Sequence, residues 1–164
     1  MIETEKNRTV EPIYIADDSG MHVAALFQFN DGGRREAGFC GAAGDCVTRS
    51  IAIATETPYR EVYDALAAGE AKRGRPRSAR KGIQRPVYDA YLEGLGWEWT
   101  ATMQIGSGCN VHLRPDELPY GRLIVRVTKH ITTMIYGVIH DTGDPTRGGT
   151  RCVYGYWRKV SGDE

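Results

Sequence analysis

The sequence predicts a single-domain α+β protein, in which N-terminal helices pack on a C-terminal antiparallel β-sheet. Two observations predict this class. Apolar residues recur at helical spacing between residues 46 and 93, and strand-like apolar runs follow from residue 97. The length of 164 residues suits one domain, here residues 1–164, which can bury a core without covalent staples.

The composition excludes several classes of protein. Hydrophobic residues make up 41% and charged residues 26%, which is typical of a globular chain and not of a disordered one. The 21 basic residues balance the 21 acidic ones, so a protein that coats nucleic acid is not expected. There is no apolar run of about 18 residues and no secretion signal at the start. We therefore expect no membrane association, a cytoplasmic location and four reduced thiols: Cys40, Cys46, Cys109 and Cys152.

Residues 1–38 predict an N-terminal hairpin and a loop. Two apolar runs flank the turn-forming cluster Asp17–Gly20, which favours a β-hairpin. The polar, glycine-containing stretch from Asn30 to Gly38 predicts the loop that follows.

The first helix is predicted to begin at Cys46. Asp45, immediately before it, is a residue type that caps helices. Val47, Ile51 and Ala54 then recur at the spacing of one helical face.

Two more helices are predicted after it. Thr57 and Pro58 suit the cap and first position of the second helix, and Gly69 is its expected end. The third is expected from about Pro86 to Glu93, with Gly94 as its stop.

The chain from residue 97 onwards is predicted to form an antiparallel sheet. Strands are expected in residues 97–103, 121–129 and 151–160, which are apolar or alternate between apolar and polar residues. Residues 130–142 are expected to form a hairpin that turns at Tyr136 and Gly137.

Cys46 is the strongest candidate for chemistry. A helix N-terminus presents unpaired N–H groups and a positive dipole end, which favour a thiolate and can bind an oxyanion. Gly44 permits close approach of a substrate to the backbone. The alternative is that Cys46 is a small apolar residue buried at the start of a helix.

The hairpin at residues 130–142 supplies a base. A two-residue turn at Tyr136 and Gly137 pairs Thr133 with His140, which places His130 and Asp141 on the same face. Asp141 is then the diagonal neighbour of His130 and can orient its imidazole. A one-residue slip in register would bring His140 to that face instead.

These motifs resemble the papain-like cysteine peptidase superfamily. The resemblance consists of Gly-Asp-Cys opening a helix, a late strand that begins with His, and an acid in the adjoining strand. The resemblance is closer to compact bacterial members, such as the bacteriocin-leader peptidases, than to papain itself. Longer stretches resemble an uncharacterised family of bacterial and phage proteins. The resemblance implies a papain-like fold, with Cys46 as nucleophile, His130 as base and Asp141 as orienting carboxylate.

The sequence departs from this superfamily upstream of the nucleophile. Papain-like enzymes have a Gln or Asn a few residues before the cysteine, whereas the nearest upstream amides here are Gln28 and Asn30. The candidates for binding the oxyanion or substrate are therefore Asn30, Gly44, Asp45 and backbone N–H groups. Asp144 competes with Asp141 as the acid, although its place beside a proline also suits a turn.

Residues 71–85 form a predicted basic loop, with seven Lys or Arg residues and no acid. Its stretch Lys72–Ser78 resembles an AT-hook, which implies contacts from Arg73, Arg75 and Arg77 to the minor groove of DNA. The other interpretations are a solvated loop or a basic rim that recruits an acidic partner.

The expected function is hydrolysis of a peptide or isopeptide bond of a protein substrate, by acyl transfer through a thioester and without a cofactor. Transfer to an amine, as in transglutaminase-like or acyltransferase members, uses the same three residues and stays open. The alternative is a non-catalytic adaptor, of phage or plasmid origin, that binds a host protein or DNA through residues 72–85. A structural zinc site is a third interpretation, but the five residues between Cys40 and Cys46 are a loose spacing for half of such a site, so no metal is expected. Its ligands would be Cys40, Cys46, Cys109 and His112.

Overall fold

In the computed structural model, residues 9–41 and 43–160 are described, and they form three helices and one seven-stranded sheet. The polar N-terminal stretch in residues 1–8 lies outside the described residues. The helices are α1 (Cys46–Thr55), α2 (Tyr59–Lys72) and α3 (Arg85–Gly94). The strands are β1 (Val10–Asp17), β2 (Gly20–Phe29), β3 (Trp97–Ala101), β4 (Arg122–Val127), β5 (His130–Ile135), β6 (Val138–Asp141) and β7 (Val153–Lys159).

The strand order in the sheet is β1-β2-β6-β5-β4-β7-β3. Neighbouring strands are antiparallel except β2 and β6, which pair in parallel through Leu26–Phe29 and Val138–Asp141. The α+β class is confirmed. The expected order of helices first and sheet afterwards is incomplete, because the N-terminal hairpin joins the same sheet through β6. Backbone pairing between distant strands leaves no local pattern in a sequence.

The β5–β6 hairpin has the predicted register. Thr133 pairs with His140 and Ile135 with Val138, so the turn consists of Tyr136 and Gly137. Both turn residues have positive φ, 48° and 82°, as a tight two-residue hairpin requires. This register brings the start of β5 beside the end of β6.

The sheet has a core on each face. On one face the helices cover Ile124, Ile131 and Trp157, and Leu66 and Leu92 contribute to this core from α2 and α3. The second core lies on the other face and is built from residues of the sheet and of the loop before β4: Leu113, Leu118, Leu123, Val125, Val127, Met134, Ile139 and Val153. Both faces of the central strands are therefore buried, which fixes their register.

Gly69 does not end the second helix, so that prediction was wrong. The helix continues to Lys72, and Gly69 lies against α3. A Cβ atom at this position would be 2.6 Å from Val87 Cγ1. The absence of a side chain therefore lets α2 and α3 approach closely, which outweighs the poor helix propensity of glycine.

A disulfide joins Cys109 to Cys152, so the expectation of four reduced thiols was wrong for this pair. Backbone hydrogen bonds from Leu113 N to Arg151 O and from Val153 N to Val111 O, each 2.8 Å, hold the two segments side by side. The two Cα atoms are 5.7 Å apart, a usual separation for a disulfide. Cys40 and Cys46 are free.

Within the described ranges, no helix combines the length and the apolar character needed to cross a bilayer.

Candidate active site

Cys46 is the first residue of α1 and is partly exposed. Two buried hydrogen bonds fasten this helix to β5: Ser50 Oγ donates to Ile131 O (3.0 Å), and Thr133 Oγ1 donates to Ser50 O (2.8 Å). The backbone of Ile131 is also close enough to the Cys46 thiol to help lower its pKa. The start of α1 is thereby held beside the start of β5.

His130 is the first residue of β5, and its imidazole lies between a carboxylate and the thiol. His130 Nε2 is 2.7 Å from Asp141 Oδ2, and the Cys46 thiol is within hydrogen-bonding reach of the ring. Because Nε2 faces Asp141, Nδ1 is the ring nitrogen left for the sulfur. The structure therefore brings together the three residues proposed from the sequence as nucleophile, base and orienting acid.

Strand alternation alone does not explain this meeting. It puts His130 on the face of β5 that carries Thr132 and Met134, whereas α1 packs on the face of Ile131 and Thr133. The imidazole reaches the thiol because His130 is the first residue of its strand, where the start of α1 also lies.

The electrostatics of the pair favour a thiolate and an imidazolium. Burial raises the pKa of Cys46, but the hydrogen bonds from His130 and Ile131 and the charges of His130 and Arg49 outweigh it, so the pKa is lowered. Burial lowers the pKa of His130, yet the hydrogen bonds to Asp141 and Cys46 raise it to about 9. Each member therefore stabilises the charged form of the other.

Asp141 is held from several sides. Its side chain is 5% exposed. Its Oδ2 accepts hydrogen bonds from His130 and from Thr132 Oγ1 (2.7 Å), and its Oδ1 accepts one from Thr142 N (2.7 Å). Burial raises the pKa of Asp141, but the hydrogen bonds from His130, Thr132 and Thr142 bring it below the ordinary value. The carboxylate stays ionised and fixed in orientation.

Asp45 occupies the N-cap position of α1 without capping it. Its buried carboxylate instead accepts hydrogen bonds from Arg49 and from the Tyr59 hydroxyl (2.5 Å), and pairs with Arg34 Nε at 3.3 Å. No capping side chain therefore occupies the first N–H groups of α1. Gly44 is exposed, and a Cβ atom there would meet nothing within 4 Å.

Asn30 lies near the site, but its amide is turned to His140. Its Nδ2 is 3.3 Å from His140 Nδ1, and its Oδ1 accepts a hydrogen bond from Gly32 N (2.8 Å). Its backbone N–H donates to Asp141 O at 2.9 Å. In this arrangement the N–H groups at the start of α1 are better placed than the Asn30 amide to bind an oxyanion.

A cavity of about 510 Å³ is lined by Asp45 and Thr142, the chain neighbours of the thiol and the acid, but not by Cys46, His130 or Asp141 themselves. Its lining also includes Phe29, Arg34, Phe39 and Arg49. Of these, Arg49 touches Asp141, a contact that the sequence analysis missed. The sequence does contain a signal for the other contact of Arg49, because Asp45 and Arg49 are four residues apart, a spacing that favours an ion pair on a helix.

Asp144 caps a turn. Its Oδ1 accepts hydrogen bonds from Thr146 N (2.8 Å) and from Thr146 Oγ1 (2.7 Å). Asp141, and not Asp144, is the acid that contacts His130.

The residues of the considered zinc site are not gathered. Cys109 is in the disulfide, and His112 Nδ1 is 3.1 Å from Glu117 Oε1. No group of three or more His, Cys, Asp or Glu residues that could hold a metal ion occurs in residues 9–41 and 43–160.

The basic loop is shorter than the predicted residues 71–85, because α2 continues to Lys72 and α3 begins at Arg85. It is exposed at Arg73, Arg75 and Arg77. A hydrogen bond holds the far end of the loop against α2, because Gln84 N donates to Glu70 Oε1 at 2.6 Å. Arg75 Nε is 3.7 Å from Glu70 Oε2, so this arginine is partly neutralised.

Comparison with known proteins found no matching family model, no matching curated protein and no matching solved structure.

Proposed function

We propose that this protein is a cysteine hydrolase with a papain-like arrangement, which cleaves a peptide or isopeptide bond through a thioester. The observation that carries the proposal is the 2.7 Å contact between Asp141 and His130, whose imidazole lies within hydrogen-bonding reach of the Cys46 thiol at the start of a helix. A nucleophile, a base and an orienting group in hydrogen-bonding sequence are the signature of covalent acyl transfer. The burial and pKa directions of the three groups support the same assignment.

The first half of the reaction forms the thioester. The Cys46 thiolate attacks the carbonyl carbon of the scissile bond, and the carbonyl oxygen becomes an oxyanion. Backbone N–H groups at the start of α1 stabilise that charge. The carbon–nitrogen bond then breaks as the His130 imidazolium gives its proton to the departing amine.

The second half releases the acid. His130, now neutral, takes a proton from water as the water oxygen attacks the thioester carbon. The carbon–sulfur bond breaks, the carboxylic acid leaves, and Cys46 returns as a thiolate beside the imidazolium. Asp141 keeps the ring oriented throughout. An amine that replaces water would make the product an amide, as in acyltransferases.

Alkylation tests the nucleophile directly. We expect iodoacetamide near pH ~6 to modify Cys46 quickly in the native protein, because a lowered pKa leaves a substantial thiolate fraction. His130→Ala should slow the modification strongly, and Cys46→Ser should abolish it at this position. Cys40→Ser is the matched control, since Cys40 is the other free thiol and is exposed. Equal labelling of wild type and His130→Ala would overturn the proposal.

An acyl-enzyme test addresses the reaction. With an activated ester such as p-nitrophenyl acetate, a burst of nitrophenol and the mass of one acetyl group on Cys46 are expected. Peptide mapping locates the acetyl group, and hydroxylamine should remove it. The absence of an acyl adduct on Cys46 would contradict the thioester mechanism.

We propose a nucleic-acid adaptor as the second candidate function, because the Gly-Arg-Pro-Arg segment 74–77 is fully on the surface. Tight DNA binding that weakens steeply with salt would support it. Changing Arg73, Arg75 and Arg77 to Ala should then abolish that binding without affecting alkylation of Cys46. No salt-dependent binding by the unaltered chain would exclude it.

A further inference from the structure

Arg49 bridges two buried carboxylates across the candidate site. It lies one helical turn after Cys46, and its side chain is 11% exposed. One guanidinium nitrogen, Nη1, contacts Asp45 Oδ1, and the other, Nη2, lies 3.4 Å from Asp141 Oδ1. The arginine therefore connects the residue before the thiol with the acid that contacts the imidazole.

The two oxygens of Asp141 have different partners. Oδ2 accepts from His130 and Thr132, whereas Oδ1 faces Thr142 N and Arg49. Rotation of the carboxylate would exchange the two oxygens. A guanidinium on Oδ1 opposes that rotation and so keeps Oδ2 directed at the imidazole.

The charges also balance locally. Asp45 and Asp141 are both buried carboxylates, and Arg34 and Arg49 are the arginines that face them. A carboxylate buried without a partner is strongly disfavoured. The planar fork of an arginine can hold two carboxylates at once, whereas a lysine ammonium is a single point of charge on a flexible stem.

We propose that Arg49 is a positioning residue, which anchors Asp141 to the first turn of α1 and thereby fixes His130 relative to the Cys46 sulfur. This inference rests on the proposed function, because it assigns a role within the same site. Arg49 acts on the geometry through Asp141, its charge also lowers the pKa of Cys46, and it does not itself touch the reacting atoms.

The test compares the pH profile of Cys46 alkylation in Arg49→Met and Arg49→Lys with that of the wild type. We expect Arg49→Met to slow alkylation near neutral pH by about 10- to 100-fold, as small misplacements of reacting groups do, and to move its acid limb to higher pH. Arg49→Lys keeps the positive charge but cannot bridge the two carboxylates, so its alkylation rate should lie between those of the wild type and Arg49→Met. It also remains informative if Arg49→Met does not fold.

Arg122→Met is the matched control, because Arg122 lies on β4 and contacts the same helix at its other end. Arg122 donates to Ile53 O (3.3 Å) and Ala54 O (3.4 Å) and pairs with Glu56 (2.8 Å), so it anchors the other end of α1. This variant should lower the melting temperature without changing the alkylation profile. If Arg49 contributed to stability alone, Arg49→Met and Arg49→Lys would also lower the melting temperature and leave the alkylation profile unchanged.

The outcomes separate this inference from the proposed function. If His130→Ala slows alkylation but Arg49→Met and Arg49→Lys have the wild-type profile, the positioning role is overturned and the nucleophile–base assignment stands. If His130→Ala has no effect, the proposed function and this inference both fail.

Discussion

His130 Nε2 and Asp141 Oδ2 lie 2.7 Å apart on neighbouring strands, 11 residues apart in the chain. The hairpin between them has a two-residue turn, which makes the first residue of β5 a diagonal neighbour of the last residue of β6. The strand register therefore builds half of the candidate site. The other half, the thiol, comes from a helix 84 positions earlier.

The contribution of His130 to stability should depend on pH. Its pKa is raised from 6.5 to about 9 in the folded protein, so its stabilising effect is complete below the unfolded value and is lost as pH rises through about 9. The difference in free energy of unfolding between wild type and His130→Ala should then be larger near pH ~6 than near pH ~10. Urea unfolding at both pH values measures it. A difference that stays constant or grows with pH would contradict the raised pKa.

Thr132 and Thr133 are adjacent, fully buried and assigned different roles. Thr132 Oγ1 donates to Asp141, whereas Thr133 Oγ1 donates to the backbone of α1. Each change to Val should cost about 1 kcal/mol of stability, the usual net value of one hydrogen bond. Only Thr132→Val should shift the pH profile of Cys46 alkylation, because it removes a donor from the oxygen that faces His130. An equal shift in Thr133→Val would show that general loosening is responsible.

Gly69→Ala should destabilise the protein by about 1–3 kcal/mol, the usual cost of overpacking. The added Cβ would overlap Val87 Cγ1. The loss of stability from this clash should exceed the stability gained from the better helix propensity of alanine. Gly94→Ala is the control, because a Cβ there meets nothing within 4 Å. Denaturant unfolding of the two single variants and of Gly69→Ala with Val87→Ala measures the effect. The double variant should recover part of the loss, and equal stability of both single variants would refute the close approach.

Loss of the Cys109–Cys152 disulfide should lower stability by up to about 4 kcal/mol, as the loop-entropy model gives for a bridge of this span. The two cysteines are 43 residues apart, and the bond ties the loop after β3 to the start of β7. Paired change to Ser, followed by urea unfolding, measures the loss. Alkylation of Cys46 should not change, since the bond lies outside the site. Thiol titration of the unreduced, denatured protein should find two reactive thiols. Four reactive thiols would show that the disulfide is not formed.

Much of the candidate site was predictable because its signals are local. A Gly-Asp-Cys start of an amphipathic helix and a hairpin with a Tyr-Gly turn can be recognised within about ten residues. The turn fixes which residues pair, so His130 and Asp141 could be placed together before any coordinates. Arg49 was missed because its second partner, Asp141, lies 92 residues away.

By itself, the sequence determined the α+β class, the start of α1 at Cys46 and the register of the β5–β6 hairpin, since periodicity and turn chemistry act over short distances. The second helix begins at Tyr59, one residue after the predicted Pro58, and the third begins at Arg85, one residue before the predicted Pro86. Only the tertiary structure decided that β2 pairs in parallel with β6, that Gly69 lies inside a helix contact, and that Cys109 bonds to Cys152. It also decided that the imidazole of His130 meets the sulfur of Cys46. These outcomes depend on which surfaces meet when distant segments bury their apolar faces, and no short stretch of sequence contains that information.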